Sequence, residues 1–158
     1  MRTLVMLVMV MACGPSNTQI RLARLAEYKA PALTIYGLAV GAASEDYKIA
    51  ETDETSGRFT TQPQFYNREG GRESPGAGDV VQIRAGSVRL EMLVEVVEAN
   101  PERVSVVITP RTYEVLSGSP KPRELTIDDP SLPPWVKGRV DALAVKIYER
   151  AKGYTAGP

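Results

Sequence analysis

From Val88 to Val96 the even positions are all apolar: Val88, Leu90, Met92, Val94 and Val96, while Arg89, Glu91 and Glu95 stand between them. A period of two puts alternate side chains on opposite faces of a strand, so this run is a half-buried antiparallel strand with one wet face. Asn100-Pro101-Glu102 supplies turn residues, and Val104, Val106 and Ile108 resume the alternation on the return. Such a hairpin constrains the rest of the chain, because its apolar face must be covered by other elements. Pro110 has no N–H to give to a ladder and marks a sheet edge or a bulge. Val80-Val81-Gln82-Ile83 either begins the same strand or forms a separate one broken at Gly86.

Two helices are expected to provide the cover. The first begins at Pro31, whose missing N–H is harmless in a first turn, and carries Leu33, Tyr36, Val40 and Ala43 at spacings of three and four, with Thr34-Ile35-Tyr36 as a strand the alternative. Gly37 and Gly41, four apart, would let it pack closely on the sheet. The second opens at Trp135 behind Pro133-Pro134, with Val136, Val140, Leu143 and Ile147 in one stripe and Gly153 as a left-handed cap. Between them, Tyr47–Glu51 and Arg58–Thr61 flank a polar segment ending in Gly57 and read as a short hairpin. Its Asp53-Glu54 pair is a solvated turn. Tyr66 to Asp79 is Gly-rich and charged, without hydrophobic period, and is expected to be a mobile loop. Ser117 to Pro134 is a Pro-rich crossing. The expected fold class is therefore α+β: a two-layer antiparallel sheet of about four strands, packed by an N-terminal and a C-terminal helix.

Composition narrows the function. Nineteen basic and nineteen acidic residues cancel over the 158-residue chain, so there is no basic stripe for nucleic acid. Histidine is absent altogether, which removes the commonest general base and metal ligand. Gly70-Gly71 and Gly76-Ala77-Gly78 lack the Lys-Ser or helical run of a phosphate loop. Asp128-Asp129 as acid and base, or Ser119 with Lys121 as nucleophile and base, are the remaining catalytic candidates, and neither has a third orienting group beside it. No catalytic, cofactor-binding or metal residue is assigned, no cofactor is expected, and the chain is read as a non-enzyme.

The N-terminus speaks to location. A single Arg2 precedes an uninterrupted apolar run from Leu4 to Ala12, which ends on Cys13, the only cysteine. Positive n-region, short apolar h-region and a small residue before the cut make a secretory signal, and the run is too short for the roughly 20 residues of a bilayer span. A buried element would carry polar residues at some period, and none occurs here. Val10-Met11-Ala12-Cys13 resembles the lipobox of bacterial lipoproteins. That resemblance implies a signal peptide at 1–12, lipidation of Cys13, a tether over 13–30, a domain over 31–154 and a tail at 155–158. With a lone cysteine spent on acylation, no disulfide framework exists. Gly14 in place of an Asp after the acylated residue implies the outer membrane, with the domain facing the periplasm. Ile20 to Leu25 is compatible with an edge strand or a helical turn.

In arrangement, residues 31 to 152 resemble the small bacterial outer-membrane lipoproteins with a helix-grip-like, BamC-like domain. The likeness rests on the lipobox, on a helix followed by Asp46-Tyr47 and Gly57-Arg58-Phe59-Thr60, and on the Trp135 helix. It implies a protein-binding or accessory role in the cell envelope, with the bilayer and an envelope protein as partners. An alternative is a carrier gripping an apolar ligand between the C-terminal helix and the even face of Val88 to Val96; a carboxylate enzyme is third. Trp135 and Met92 are the candidate contacts for a ligand or partner.

Overall fold

The long hairpin forms the centre of the molecule. In the computed structural model, residues 14–73 and 84–156 are described. The expected signal peptide at 1–12, Cys13, the Gly76 and Gly78 segment, the Val80 to Ile83 run and the last two residues lie outside the described residues. In chain order the elements are α1 (Asn17–Arg24), β1 (Glu27–Tyr28), α2 (Ala32–Ala43), β2 (Ile49–Asp53), β3 (Arg58–Thr61), β4 (Gln64–Tyr66), β5 (Val88–Asn100), β6 (Arg103–Glu114), β7 (Arg123–Leu125) and α3 (Pro134–Ala151). A 3-10 turn, Lys152–Tyr154, follows α3.

The described strands make one antiparallel sheet of seven, in the order β1-β6-β5-β3-β2, with β4 also on β5 and β7 also on β6. The fold is thus α+β, with more strands than the expected four. The additional ones, β1, β4 and β7, are two or three residues long, too short for a period of two to show in sequence. β3 and β4 lie one after the other along β5, interrupted at Gln62-Pro63, where Pro63 cannot donate to a ladder. Val88 to Glu98 pairs with Val104 to Glu114 without a slip, so the alternation that defined the hairpin also set its register.

The even positions of β5 face the helices. Val88, Leu90, Met92, Val94 and Val96 are all buried, and Phe59, Tyr36, Ala39, Leu143 and Ile147 close over them. On α2 the buried face is Ile35, Tyr36, Ala39, Ala42 and Ala43; of the expected stripe Tyr36 and Ala43 belong to it, Val40 is half-buried and Leu33 is 60% exposed. Small alanines do the packing there, and apolar periodicity alone does not single them out. Gly37 is exposed, while a Cβ on Gly41 would stand 2.6 Å from the Arg150 guanidinium. That glycine clears space against α3 rather than against the sheet. Pro134 sits in the first turn of α3, as expected, but Gly153 falls within the 3-10 turn without a positive φ.

Residues 17–30, expected as tether, belong to the folded body. Ser16 caps α1 in a capping box: its Oγ accepts from the Gln19 N–H at 3.3 Å and its N–H donates to Gln19 Oε1 at 2.9 Å. Arg24 Nε donates to Asp141 Oδ1 of α3 at 2.8 Å, fixing the helix to the domain. Tyr28 of β1 is 1% exposed, and the chain end that was expected as tail pairs with this strand, Ala156 N–H donating to the Glu27 C=O at 2.8 Å. The polar composition that suggested a leash is that of a short amphipathic helix with one face on α3.

Candidate functional site

The residues that sequence reasoning singled out do not converge. Met92 is 0% exposed in the centre of the core and cannot meet a ligand or partner. Trp135 is half-buried and engaged: its ring lies 4.8 Å from that of Tyr66, and its Nε1–H donates to the Arg68 C=O at 2.9 Å. Arg139 completes the cluster, its guanidinium 4.8 Å over the Tyr66 ring and donating to the Gly70 C=O at 3.3 Å. Burial, with the nearby Tyr66 hydroxyl adding to it, pushes the Tyr47 hydroxyl up to about 12; it stays neutral. This is a clasp holding the 67–73 turn to the start of α3.

That turn was expected to be part of a mobile loop. It is instead ordered by Asn67, whose N–H donates to the Gly71 C=O at 2.9 Å and whose Oδ1 accepts from the Gly71 N–H at 2.7 Å. Gly70 takes φ +87° directly under Trp135. The sequence signal was Gly70 itself, a glycine at a close approach, hidden in a stretch whose charge argued for solvent.

The catalytic candidates resolve into turns. Ser119 Oγ accepts from the Lys121 N–H at 3.3 Å and donates to the Lys121 C=O at 2.9 Å, so its contact is with main chain and not with the lysine amine. Asp129 Oδ1 accepts from the Ser131 N–H at 2.8 Å, while Asp128 is exposed. Asp53 likewise binds the Thr55 and Ser56 N–H groups, and the Ser56 contacts hold its carboxyl below the usual carboxylate range. Among the described residues no three His, Cys, Asp or Glu side chains gather as a metal site.

Among the described strands, main-chain groups stay open along the outer edge of β2, which ends the sheet, and along part of β6, while Arg89 Nε on β5 is buried without a partner. Met92 N–H donates to Thr61 Oγ1 at 2.9 Å and Val96 N–H to the Gly57 C=O at 2.8 Å, so the even residues of β5 turn their main-chain groups toward β3. In an antiparallel pair the bonded and non-bonded positions alternate. The odd residues of β5 therefore bond β6, and the even residues of β6 turn their N–H and C=O groups outward. At one end of that edge Val104 meets Tyr28 of β1; at the other Thr112 and Glu114 meet Leu125 and Arg123 of β7. Between them Val106, Ile108 and Pro110 face no described strand, and no described hydrogen bond reaches their outward main-chain groups. The gap runs from residue 106 to 111, on the order of 20 Å at the rise of a strand. Pro110 is tolerated because its nitrogen points into this gap and not at Met92, its partner across the hairpin.

No protein-family model matches the chain, and no curated protein is similar to it.

Charge fixes the frame of the gap. At the β7 end the Glu114 carboxylate, buried on the helix side, accepts from Arg68 at 2.7 Å and Arg123 at 2.8 Å. The Arg68 hydrogen bond holds its carboxyl below the usual range, with Arg123 adding to the effect. At the β1 end Arg103 pairs with Glu27 at 3.0 Å. The sheet face opposite the helices carries Arg89, Glu91, Leu93 and Glu95 of β5 and Val107, Thr109, Arg111 and Tyr113 of β6. No described element lies on it. Val107 is 43% exposed, and Arg89 stacks over the Tyr113 ring at 5.3 Å. Toward β2 and β3 the same face opens into a cavity of about 480 Å³ lined by Arg58, Thr60, Leu93 and Arg111 among others. A mixed-charge face beside an unpaired edge can receive an extended polypeptide: main-chain groups bind any sequence, and the flanking side chains select among them.

Proposed function

We propose that the chain is a bacterial envelope lipoprotein, anchored in the outer membrane through acylated Cys13 and facing the periplasm, that binds an envelope protein by pairing one of its extended segments with the open edge of β6. The observation that carries the reading is the interval of β6 between β1 and β7, with outward N–H groups at Val106 and Ile108 and outward C=O groups at Val106, Ile108 and Pro110. Unpaired edges are ordinarily blunted, and Pro110 removes one donor here. It restricts the incoming strand to registers that need no hydrogen bond from that position, which is a source of selectivity. The anchor rests on the lipobox at Val10 to Cys13. The BamC-like helix-grip likeness belongs to the same proposal, supported by a sheet held on one face by α2 and α3. A carrier gripping an apolar ligand against the even face of β5 would need room where the side chains are less than a tenth exposed, so the protein-binding reading is preferred.

A photo-crosslinking residue at Val107, compared with one at the exposed Lys137 of α3, tests this in intact bacterial envelopes. An adduct of one defined mass at position 107, absent at 137 and lost when Ile108→Pro removes the neighbouring outward N–H, is the expected result. No adduct at 107, or the same adducts at both positions, would discard the edge as a docking site.

A further inference from the structure

The helix found in place of a tether changes how the domain meets its membrane. Ile20 and Ala23 of α1 are half-buried and Arg24 bonds Asp141, so that side belongs to α3. Thr18, Arg21, Leu22 and Leu25 recur at spacings of three and four on the other side. Leu22 is 46% and Leu25 is 75% exposed, an unusual expense of apolar surface on so short an element. Arg21 has no ion-pair partner among the described residues and lines, with Leu22, Leu25, Arg103 and Tyr148, an open cleft of about 470 Å³.

Chain length decides what can cover this face. Ser16, the capping residue, is three positions on from Cys13, and an extended chain gains at most about 3.6 Å per residue, so Ser16 stays within roughly 11 Å of the acylated residue. The headgroup layer beyond the hydrocarbon core is itself about 5–8 Å thick. α1 is a further eight residues, about 12 Å at helical rise, so its exposed leucines are within reach of the interface. An apolar stripe flanked by a free arginine is the pattern that settles at the acyl and headgroup boundary of an acidic bilayer.

We infer that the Thr18, Arg21, Leu22 and Leu25 face of α1 rests on an anionic phospholipid surface, so that the domain lies against the membrane in a fixed orientation. The inference rests on the reading of Cys13 as the anchor. Its test uses the full chain, purified from a bacterial host with fatty-acid labelling and reconstituted into vesicles of phosphatidylethanolamine and phosphatidylglycerol. With Cys13 acylated, a nitroxide can be placed on Leu25→Cys, or on Val107→Cys on the open sheet face. Both positions are exposed, so the fold should tolerate them. The label at 25 should show an oxygen-to-nickel-chelate collision ratio several-fold above that at 107, falling toward the 107 value on phosphatidylcholine vesicles or in high salt. Equal ratios at both positions, with fatty acid retained on Cys13, would overturn the docking and leave the anchor standing. An equally high ratio on neutral vesicles would overturn the assignment to an anionic surface. A label at 25 shielded from both reagents would mean that protein covers the face, and would overturn the inference too. Loss of fatty acid from Cys13 would remove anchor and docking together.

Discussion

A proline scan along β6 tests the geometry on which the proposed function depends. Val107 and Thr109 lie opposite Glu95 and Leu93 in the bonded positions of the hairpin, whereas Val106 and Ile108 direct their N–H groups to the open edge. Proline at 107 removes one ladder bond, worth about 0.5–1.5 kcal/mol net, and leaves the Glu95 C=O without its partner, costing about 1–3 kcal/mol more. The sum is about 1.5–4.5 kcal/mol. Proline at 108 removes a donor that has no partner among the described residues, so only local φ adjustment opposes it, roughly 1 kcal/mol or less. Ile108 is half-buried in the core, so each proline is compared with alanine at the same site, and the difference isolates the main-chain contribution from the lost side chain. Urea unfolding is the assay: with a slope of about 1–3 kcal/mol per molar, the 107 difference should move the midpoint by about 1 M or more, and the 108 difference by much less. Equal penalties at the two positions, or a larger one at 108, would show that the outward groups were assigned to the wrong residues.

Gly70→Ala should destabilise the protein by about 2–3 kcal/mol, because φ +87° is strained for alanine and the new Cβ would sit 2.8 Å from Trp135 Cγ; tryptophan fluorescence unchanged from the parent, together with an unchanged unfolding midpoint, would refute the clasp. Glu114 makes stability depend on acid: its folded carboxyl lies below its unfolded value through Arg68 and Arg123, so its contribution is complete above the ordinary carboxylate range and disappears as pH falls through the depressed folded value. Both arginines are well exposed, 64% and 42% at the side chain, and solvent screening keeps the effect small. Glu114→Gln should therefore flatten the acid limb of the stability curve, measured as unfolding midpoint against pH, while changing the neutral plateau by only about 1 kcal/mol. An acid limb identical to the parent's would remove Glu114 from the account.

How far the sequence could be read depended on element length. Thirteen residues of β5 and eighteen of α3 give period two and period 3.6 room to repeat; the burial of β5 was legible throughout, and that of α3 at Val136, Leu143 and Ile147, while Val140 is half-buried and the buried Asp141, Val145 and Ala151 lay outside the expected stripe. Gly57 with φ +66° at the end of the first turn was likewise visible as turn chemistry. β1, β4 and β7 were not, because strands of two or three residues are held by the edge that they join and carry little pattern of their own. The capping box of α1 was present as Ser16 and Gln19, but the surrounding polar composition outweighed it. Of the site, only Pro110 was read, as the mark of an edge or a bulge. Where that edge runs depends on which residues of β6 turn outward, and that parity is set by contacts with Thr61 and Gly57, distant in sequence.

The proposed membrane-facing helix and the proposed docking edge are geometrically linked. Arg103, at the start of β6, lines the same cleft as Leu22 and Leu25, and Glu27 beside them belongs to β1. The β1 end of the edge is therefore the end nearer α1, and the β7 end, closed by Glu114, is the farther one. If α1 lies on the bilayer, Val106 is the first outward group above the surface and Pro110 the last. A partner strand antiparallel to β6, in the sense that β1 and β7 both follow, would then run from Pro110 toward Val106 and so toward the membrane. A segment leading into a membrane-inserted region of its own protein satisfies that direction without reversing. A segment leading away must either pair in parallel with β6 or turn back within the headgroup layer. On the proposed anchoring, an orientation set by the two residues between Cys13 and Ser16 and by one short helix would limit which envelope proteins could use the edge, before any side-chain contact is made.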